Sequence, residues 1–97
     1  ALSKKEQKKN DAEKRQLKFA ATKNLKDDIT ELENRIQNFE TEKSRLEVEL
    51  SETEVYQNPD VSRKKNIEYD RIKRSLETIY SSWTEKTIEL EKIESQF

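Results

Sequence analysis

Ser51-Glu52-Thr53-Glu54-Val55-Tyr56-Gln57-Asn58-Pro59 contains the one proline of a 97-residue chain that has no glycine. It is the only segment with helix-breaking character, and it separates two apolar rows. Upstream, Leu25, Ile29, Leu32, Ile36, Phe39, Lys43, Leu46 and Leu50 follow one another in steps of four and three. Downstream, Tyr69, Ile72, Leu76, Ile79, Trp83, Lys86, Leu90, Ile93 and Phe97 repeat in steps of three and four. Fifteen of these 17 positions are apolar, where a composition of 30% hydrophobic would place about five by chance. A mean spacing of about 3.5 residues keeps one narrow stripe facing a partner helix, which is the requirement of a left-handed coiled coil.

The connection is too short for anything but antiparallel neighbours. Asn58 is placed to cap the second helix, and Pro59 suits its first turn, where a missing N–H costs nothing. Ser51 and Glu54 have capping-box spacing, which predicts a short helical turn inside the connection. If residues whose numbers add to about 115 lie opposite, Leu46 meets Tyr69, Phe39 meets Leu76, Ile36 meets Ile79, Leu32 meets Trp83 and Leu25 meets Leu90. One constant aligns both rows. Lys43 then faces Ile72 and Lys86 faces Ile29, so each seam lysine has to carry its ammonium outward along its aliphatic stem.

The predicted fold is therefore all-α: an antiparallel two-helix coiled-coil hairpin over 24–97, with a helix about 24–50, a turn about 51–58 and a helix about 59–97. Residues 1–23 form a basic N-terminal arm. Continuing the first row back would call for Thr22 and Lys18, whereas the apolar residues there are Leu17, Phe19, Ala20 and Ala21. Asn24 with Asp27 has the spacing of a fresh helix start. These features predict a break or stutter near residues 21–24, with the arm either a solvated helix or disordered in isolation.

Composition removes whole classes of chemistry. With 42% charged residues and neither Cys nor His, the chain offers no zinc finger, thiol nucleophile or imidazole base. Lacking glycine, it has no phosphate-cradling loop and no loop of the kind that binds calcium. No catalytic role, cofactor or metal is expected of it. No stretch is apolar enough to span a bilayer, the start is not a secretory signal, and a cytoplasmic location is the expectation.

Charge is segregated. Residues 1–26 carry a net +6, residues 27–61 a net −8 and residues 62–97 a net +1. The candidate nucleic-acid contacts are the arm cations Lys4, Lys5, Lys8, Lys9, Lys14, Arg15, Lys18 and Lys23, and a second cluster, Arg63, Lys64, Lys65, Arg71, Lys73 and Arg74, at the start of the second helix. Closely spaced helical cations displace counterions from a phosphate backbone and give sequence-independent, salt-sensitive binding. A solvated helical face is the competing reading. In the same register Arg63, Lys64 and Lys65 lie beside Glu47, Glu49, Glu52 and Glu54, so that part of the second cluster is expected to be neutralised within the hairpin. The arm has no such acidic neighbour across the hairpin and is the better candidate. Trp83, Tyr69 and Phe97 are expected to pack on the seam, leaving Tyr56 at the tip as the aromatic most free to meet a partner.

The basic Ser3-Lys4-Lys5-Glu6-Gln7 opening, the Leu50-Ser51-Glu52-Thr53-Glu54-Val55-Tyr56 turn, Asn58-Pro59 and Leu76-x-x-x-Tyr80-x-x-Trp83 together resemble the C-terminal domain of bacterial ABC-F proteins. The resemblance covers nearly the whole chain. It departs at Glu52-Thr53, where the family usually has Asp-Pro, and at Lys86, where leucine is usual. It implies a non-catalytic accessory domain of a soluble ATPase whose two cassettes hold the ATP and magnesium. The implied partners are DNA or ribosomal RNA and the ribosome, together with the parent's cassettes. A protein-interaction or dimerisation coiled coil without nucleic-acid binding is the alternative, and self-association belongs with it.

Overall fold

The computed structural model describes residues 3–96. Ala1, Leu2 and Phe97, the last of these the expected end of the second apolar row, lie outside the described residues. The chain forms α1 (Lys4–Ser51), α2 (Thr53–Tyr56) and α3 (Pro59–Gln96), with α1 and α3 packed side by side as a helical hairpin. The 48 residues of α1 at about 1.5 Å each give about 72 Å, which accounts for the 79 Å long axis of a rod only 15 Å across.

Each helix end has a local cause. Ser3 caps α1 by accepting the Glu6 N–H (3.2 Å), and Glu6 Oε2 accepts the Ser3 N–H in return (3.3 Å), a reciprocal box that satisfies two orphan donors. At the other end the reversal uses no positive φ among the described residues, so it needs no glycine. Instead, Glu52 turns extended (φ −74°, ψ 135°), and the single turn α2 follows. The helical turn is where Ser51 and Glu54 predict it, but their capping box does not form. Ser51 remains inside α1 and donates its hydroxyl back to the Val48 carbonyl (2.6 Å), leaving Glu52 in the cap position without a side-chain bond. Asn58 does cap α3, accepting the Val61 N–H at 3.4 Å, with Pro59 as the first helical residue. Val55, unforeseen as a core residue, is buried where α2 touches both long helices.

The register is as expected. Six cross-hairpin pairs (Glu49–Lys65, Glu47–Tyr69, Arg45–Glu68, Glu40–Tyr80, Asp28–Lys86, Lys26–Glu94) have residue numbers adding to between 113 and 120. Leu46, Ile72 and Leu76 form the buried centre, with Ile36, Phe39 and Tyr69 packed against them. Both seam lysines reach outward to a carboxylate, Lys86 to Asp28 at 3.2 Å and Lys43 to Glu47 at 3.9 Å.

The break near residues 21–24 is absent, and α1 runs through Asn24 without a fresh start. The heptad row stays in phase because Thr22 takes the seam position. It is 2% exposed, with its hydroxyl donated to the Lys18 carbonyl at 2.8 Å, so the buried oxygen is satisfied without leaving the helix. A polar residue at a seam position is compatible with the helix once its hydrogen bond is made locally.

Two polar atoms on the α3 side of the seam, Trp83 Nε1 and Thr87 Oγ1, are buried without a hydrogen-bond partner among the described residues. Trp83→Phe removes a desolvated donor worth about 1–3 kcal/mol of penalty while giving up ring volume. W83F is therefore expected to unfold in urea within about 1 kcal/mol of the parent chain, whereas W83A costs about 3–5 kcal/mol. An equal loss for both variants would show that the indole N–H contributes no such penalty.

The flanks of the seam also set a pH window. A hydrogen bond from Lys65 at 2.7 Å holds the Glu49 carboxyl below its ordinary 4.5, against partial desolvation and with help from Arg45. A lowered carboxyl pKa stabilises the fold above the ordinary value, and that contribution is lost as pH falls through the folded pKa. Tyr69 and Tyr80 donate to Glu47 and Glu40, and those hydrogen bonds, with some desolvation, raise both phenols above 10.0. Their contribution is complete below 10.0 and is lost as pH rises through the raised values. Thermal unfolding followed by circular dichroism is expected to fall off at both ends. Y69F/Y80F should flatten the alkaline limb, and E49Q should lessen the acid one. An alkaline limb unchanged in Y69F/Y80F would contradict the assignment.

Candidate nucleic-acid interface

In the observed register, α3 ends opposite residues near 19–22 of α1, so the first four turns of α1 have no partner helix. There the heptad row keeps its phase but changes its chemistry. Running back from Thr22, the seam positions are Lys18, Arg15, Asp11, Lys8 and Lys4. The stripe that is apolar inside the hairpin becomes a cationic track with one acid in it. Lys5, Lys9, Lys14 and Lys23 stand around the same helix. All eight arm cations are exposed except Lys18, which is half-buried, and none forms an ion pair with another described residue. Leu17 and Phe19 are also open to solvent, at 62% and 65% exposure.

The second cluster splits. Lys65 is taken by Glu49 across the hairpin (2.7 Å) and Arg63 by Asp60 one turn back (3.3 Å), while Lys64 makes no ion pair among the described residues. The expected neutralisation across the hairpin thus holds for Lys65 alone. Arg63 is neutralised locally, and Glu47 goes to Lys43 and the Tyr69 hydroxyl. Lys73 rests over the Tyr69 ring, 5.4 Å from its centre, in a cation–π contact.

Arg71 and Arg74 form no ion pair among the described residues, and the fold adds a third arginine to them. Arg35 of α1, with Ile67, Asp70, Arg71, Arg74, Ser75, Thr78 and Ile79 of α3, lines an open groove of about 530 Å³. Sequence reading passes over Arg35 because it stands alone, the only cation between Lys26 and Lys43 in an acidic stretch. Its signal is positional. It immediately precedes seam residue Ile36, which puts it on a flank that α3 has to cross.

Tyr56 is exposed at the tip, as expected, at 57%. No described helix is long and apolar enough to cross a membrane. A protein-family model described as "ABC transporter C-terminal domain" matches residues 1–85. No curated protein and no solved structure matches the chain.

Proposed function

This chain belongs to the ABC transporter C-terminal domain family, and we propose that it serves an ABC-F-type ATPase as a non-catalytic accessory domain that binds nucleic acid, DNA or ribosomal RNA, without sequence preference. The observation that carries this reading is the arm, a helix with seven of its eight cations, all but Lys23, beyond the end of α3 and none of the eight neutralised by a described carboxylate. Free cations at helical spacing bind a phosphate backbone by releasing its condensed counterions, whereas cations already paired release little. Base-edge recognition is not part of the proposal, because lysines placed around a helix contact phosphates without reading sequence. On this reading ATP and magnesium are bound by the parent's cassettes, and the hairpin carries the arm to a nucleic acid in the cytoplasm.

Salt-titrated fluorescence anisotropy against a labelled 20-bp duplex and a ribosomal RNA fragment tests it. The expected result is a log–log plot falling by about 0.9 per cation engaged, so a slope near −4 to −7 for the arm on duplex DNA. Undetectable binding at 20 mM salt to both probes would end the proposal.

The alternative, a protein-interaction or dimerisation rod, is favoured by exposed apolar side chains, Leu17 and Phe19 on the arm and Val48, Tyr56, Val61, Ile67, Tyr80 and Ile88 on the hairpin. Leu17 and Phe19, two residues apart on a helix, face nearly opposite sides and do not make one patch. Sedimentation that shows concentration-dependent association would support that reading, and monomer at every concentration would count against it.

A further inference from the structure

We propose that the arm and the Arg35/Arg71/Arg74 groove are two ends of a single interface, spaced to take the phosphate backbone of a nucleic-acid duplex at points about one helical turn apart. The inference rests on the nucleic-acid reading and adds the form of the ligand and the second contact.

Spacing comes first. Lys14 and Arg35 are 21 residues apart, three whole heptads, so both occupy the same flank of α1. At about 1.5 Å per residue that is about 32 Å along a continuous helix, close to the 34–36 Å of one duplex turn. Because α1 does not break at residues 21–24, the separation is fixed rather than bridged by a flexible joint. A rigid spacing matches a rigid ligand.

Between the two clusters the α1 row of Lys14 and Arg35 has one acid, Asp28, and it is held by Lys86 at 3.2 Å. Glu31 lies one turn before Arg35, and Glu85 and Glu89 of α3 continue the heptad rows of the groove residues Thr78 and Ser75, without an ion pair among the described residues. The stretch between is therefore not itself a cationic track, and the proposed contacts are confined to its two ends.

The groove itself suits phosphate. Three guanidiniums from two helices converge with the hydroxyl-bearing Ser75 and Thr78, against a single carboxylate, Asp70. Arginine is the side chain best matched to phosphate oxygens, through its fork of donors. No aromatic lines the groove, so the stacking platform that single strands use is missing there.

The test is the length dependence of binding, measured by anisotropy at 50 mM salt with labelled duplexes of 8 and 20 bp, in DNA and RNA versions, and a 20-nucleotide single strand. An 8-bp duplex, about 27 Å long at about 3.4 Å per base pair, falls short of the about 32 Å between Lys14 and Arg35 and reaches from the groove no further than Lys18 and Lys23 of the arm. The 20-bp duplex is expected to bind at least about 10-fold tighter than the 8-bp one, beyond the few-fold gain from its larger number of registers. R35Q/R71Q/R74Q should lose that step while binding the 8-bp duplex within about 2-fold of the parent chain, since the arm is untouched. R35K/R71K/R74K should retain most of the step, which separates charge placement from misfolding. Whichever duplex, DNA or RNA, shows the larger step is the better fit to the spacing. Equal weakening of both lengths by the glutamine variant, no step in the parent chain, or a single strand bound as tightly as the 20-bp duplex each overturns the proposal. In those cases binding by the arm still stands, whereas the absence of binding to every probe removes the nucleic-acid reading as well.

Discussion

Leu46→Ala is expected to leave the hairpin largely unfolded at temperatures where the parent chain is folded. Leu46 is 0% exposed, the most completely buried side chain among the described residues, and it sits in the buried cluster with Ile72 and Leu76. Removing a fully buried leucine costs about 2–5 kcal/mol, more where the surroundings cannot collapse into the gap. Ile72 and Leu76, 4% exposed each, are anchored on a continuous 38-residue helix, so collapse is restricted. A chain of this length has about 5–15 kcal/mol in all, and a rod of two helices belongs at the low end. Each kcal/mol is worth about 4–8 °C for a domain of this size, which puts the midpoint about 10–30 °C lower. Circular dichroism at 222 nm measures it. Leu25→Ala is the comparison. Leu25 is only half-buried near the base of the hairpin, where the helices fray first, and its loss should cost less than half as much. Equal losses at the two sites would mean that stability is spread evenly along the seam rather than concentrated near the tip.

The hairpin was legible because two separate signals, heptad phase and a single interruption, agree on one register. Phase predicts which residues meet: Leu46, Ile72 and Leu76 are all members of the two rows, and they form the buried centre. The seam lysines were legible for the same reason, since a lysine at a seam position has one physical solution. What the rows did not disclose was decided by local hydrogen bonds. Thr22 looked like a loss of phase because it is polar, but a hydroxyl that reaches the carbonyl four residues back is satisfied inside the helix, and the seam continues. Ser51 shows the reverse case. Its spacing to Glu54 suits a capping box, yet the same kind of back-bond, to Val48, keeps it in α1. Small hydroxyl residues offer both outcomes at nearly equal cost, so spacing alone does not choose between them.

For the candidate interface, sequence listed charges and the fold sorted them. Lys65 and Arg74 are equivalent as letters. One is paired across the hairpin at 2.7 Å and the other lines an open groove. The difference depends on which face of α3 meets an acidic position of α1. Arg35 belongs to no cluster along the chain, because the groove gathers its arginines across the hairpin, from positions nearly 40 residues apart in sequence.

Neutralising the seam-row cations of the arm is the largest functional effect expected. The variant K4Q/K8Q/R15Q/K18Q removes four charges from one face of a helix with no partner there. If each contacts a phosphate, the salt slope on duplex DNA becomes shallower by about 3–4, and affinity at 100 mM salt falls on the order of 10³-fold. Folding should be unaffected to within about 0.5 kcal/mol, because these side chains form no ion pair with the described residues and glutamine keeps the helix. Net charge alone predicts a smaller, uniform effect, and a control separates the two. K26Q/R63Q removes cations held by Glu94 at 3.5 Å and by Asp60 at 3.3 Å. Each of those charges is already partly compensated, so its loss should weaken binding several-fold less per charge than a loss from the arm. Two outcomes count against the arm as the contact surface: the same weakening per charge in both variants, or a slope that does not move. A further consequence separates direct contact from general attraction. Raising salt should narrow the gap between the parent chain and the arm variant, and the two lines should meet near 1 M, where the counterion-release advantage vanishes.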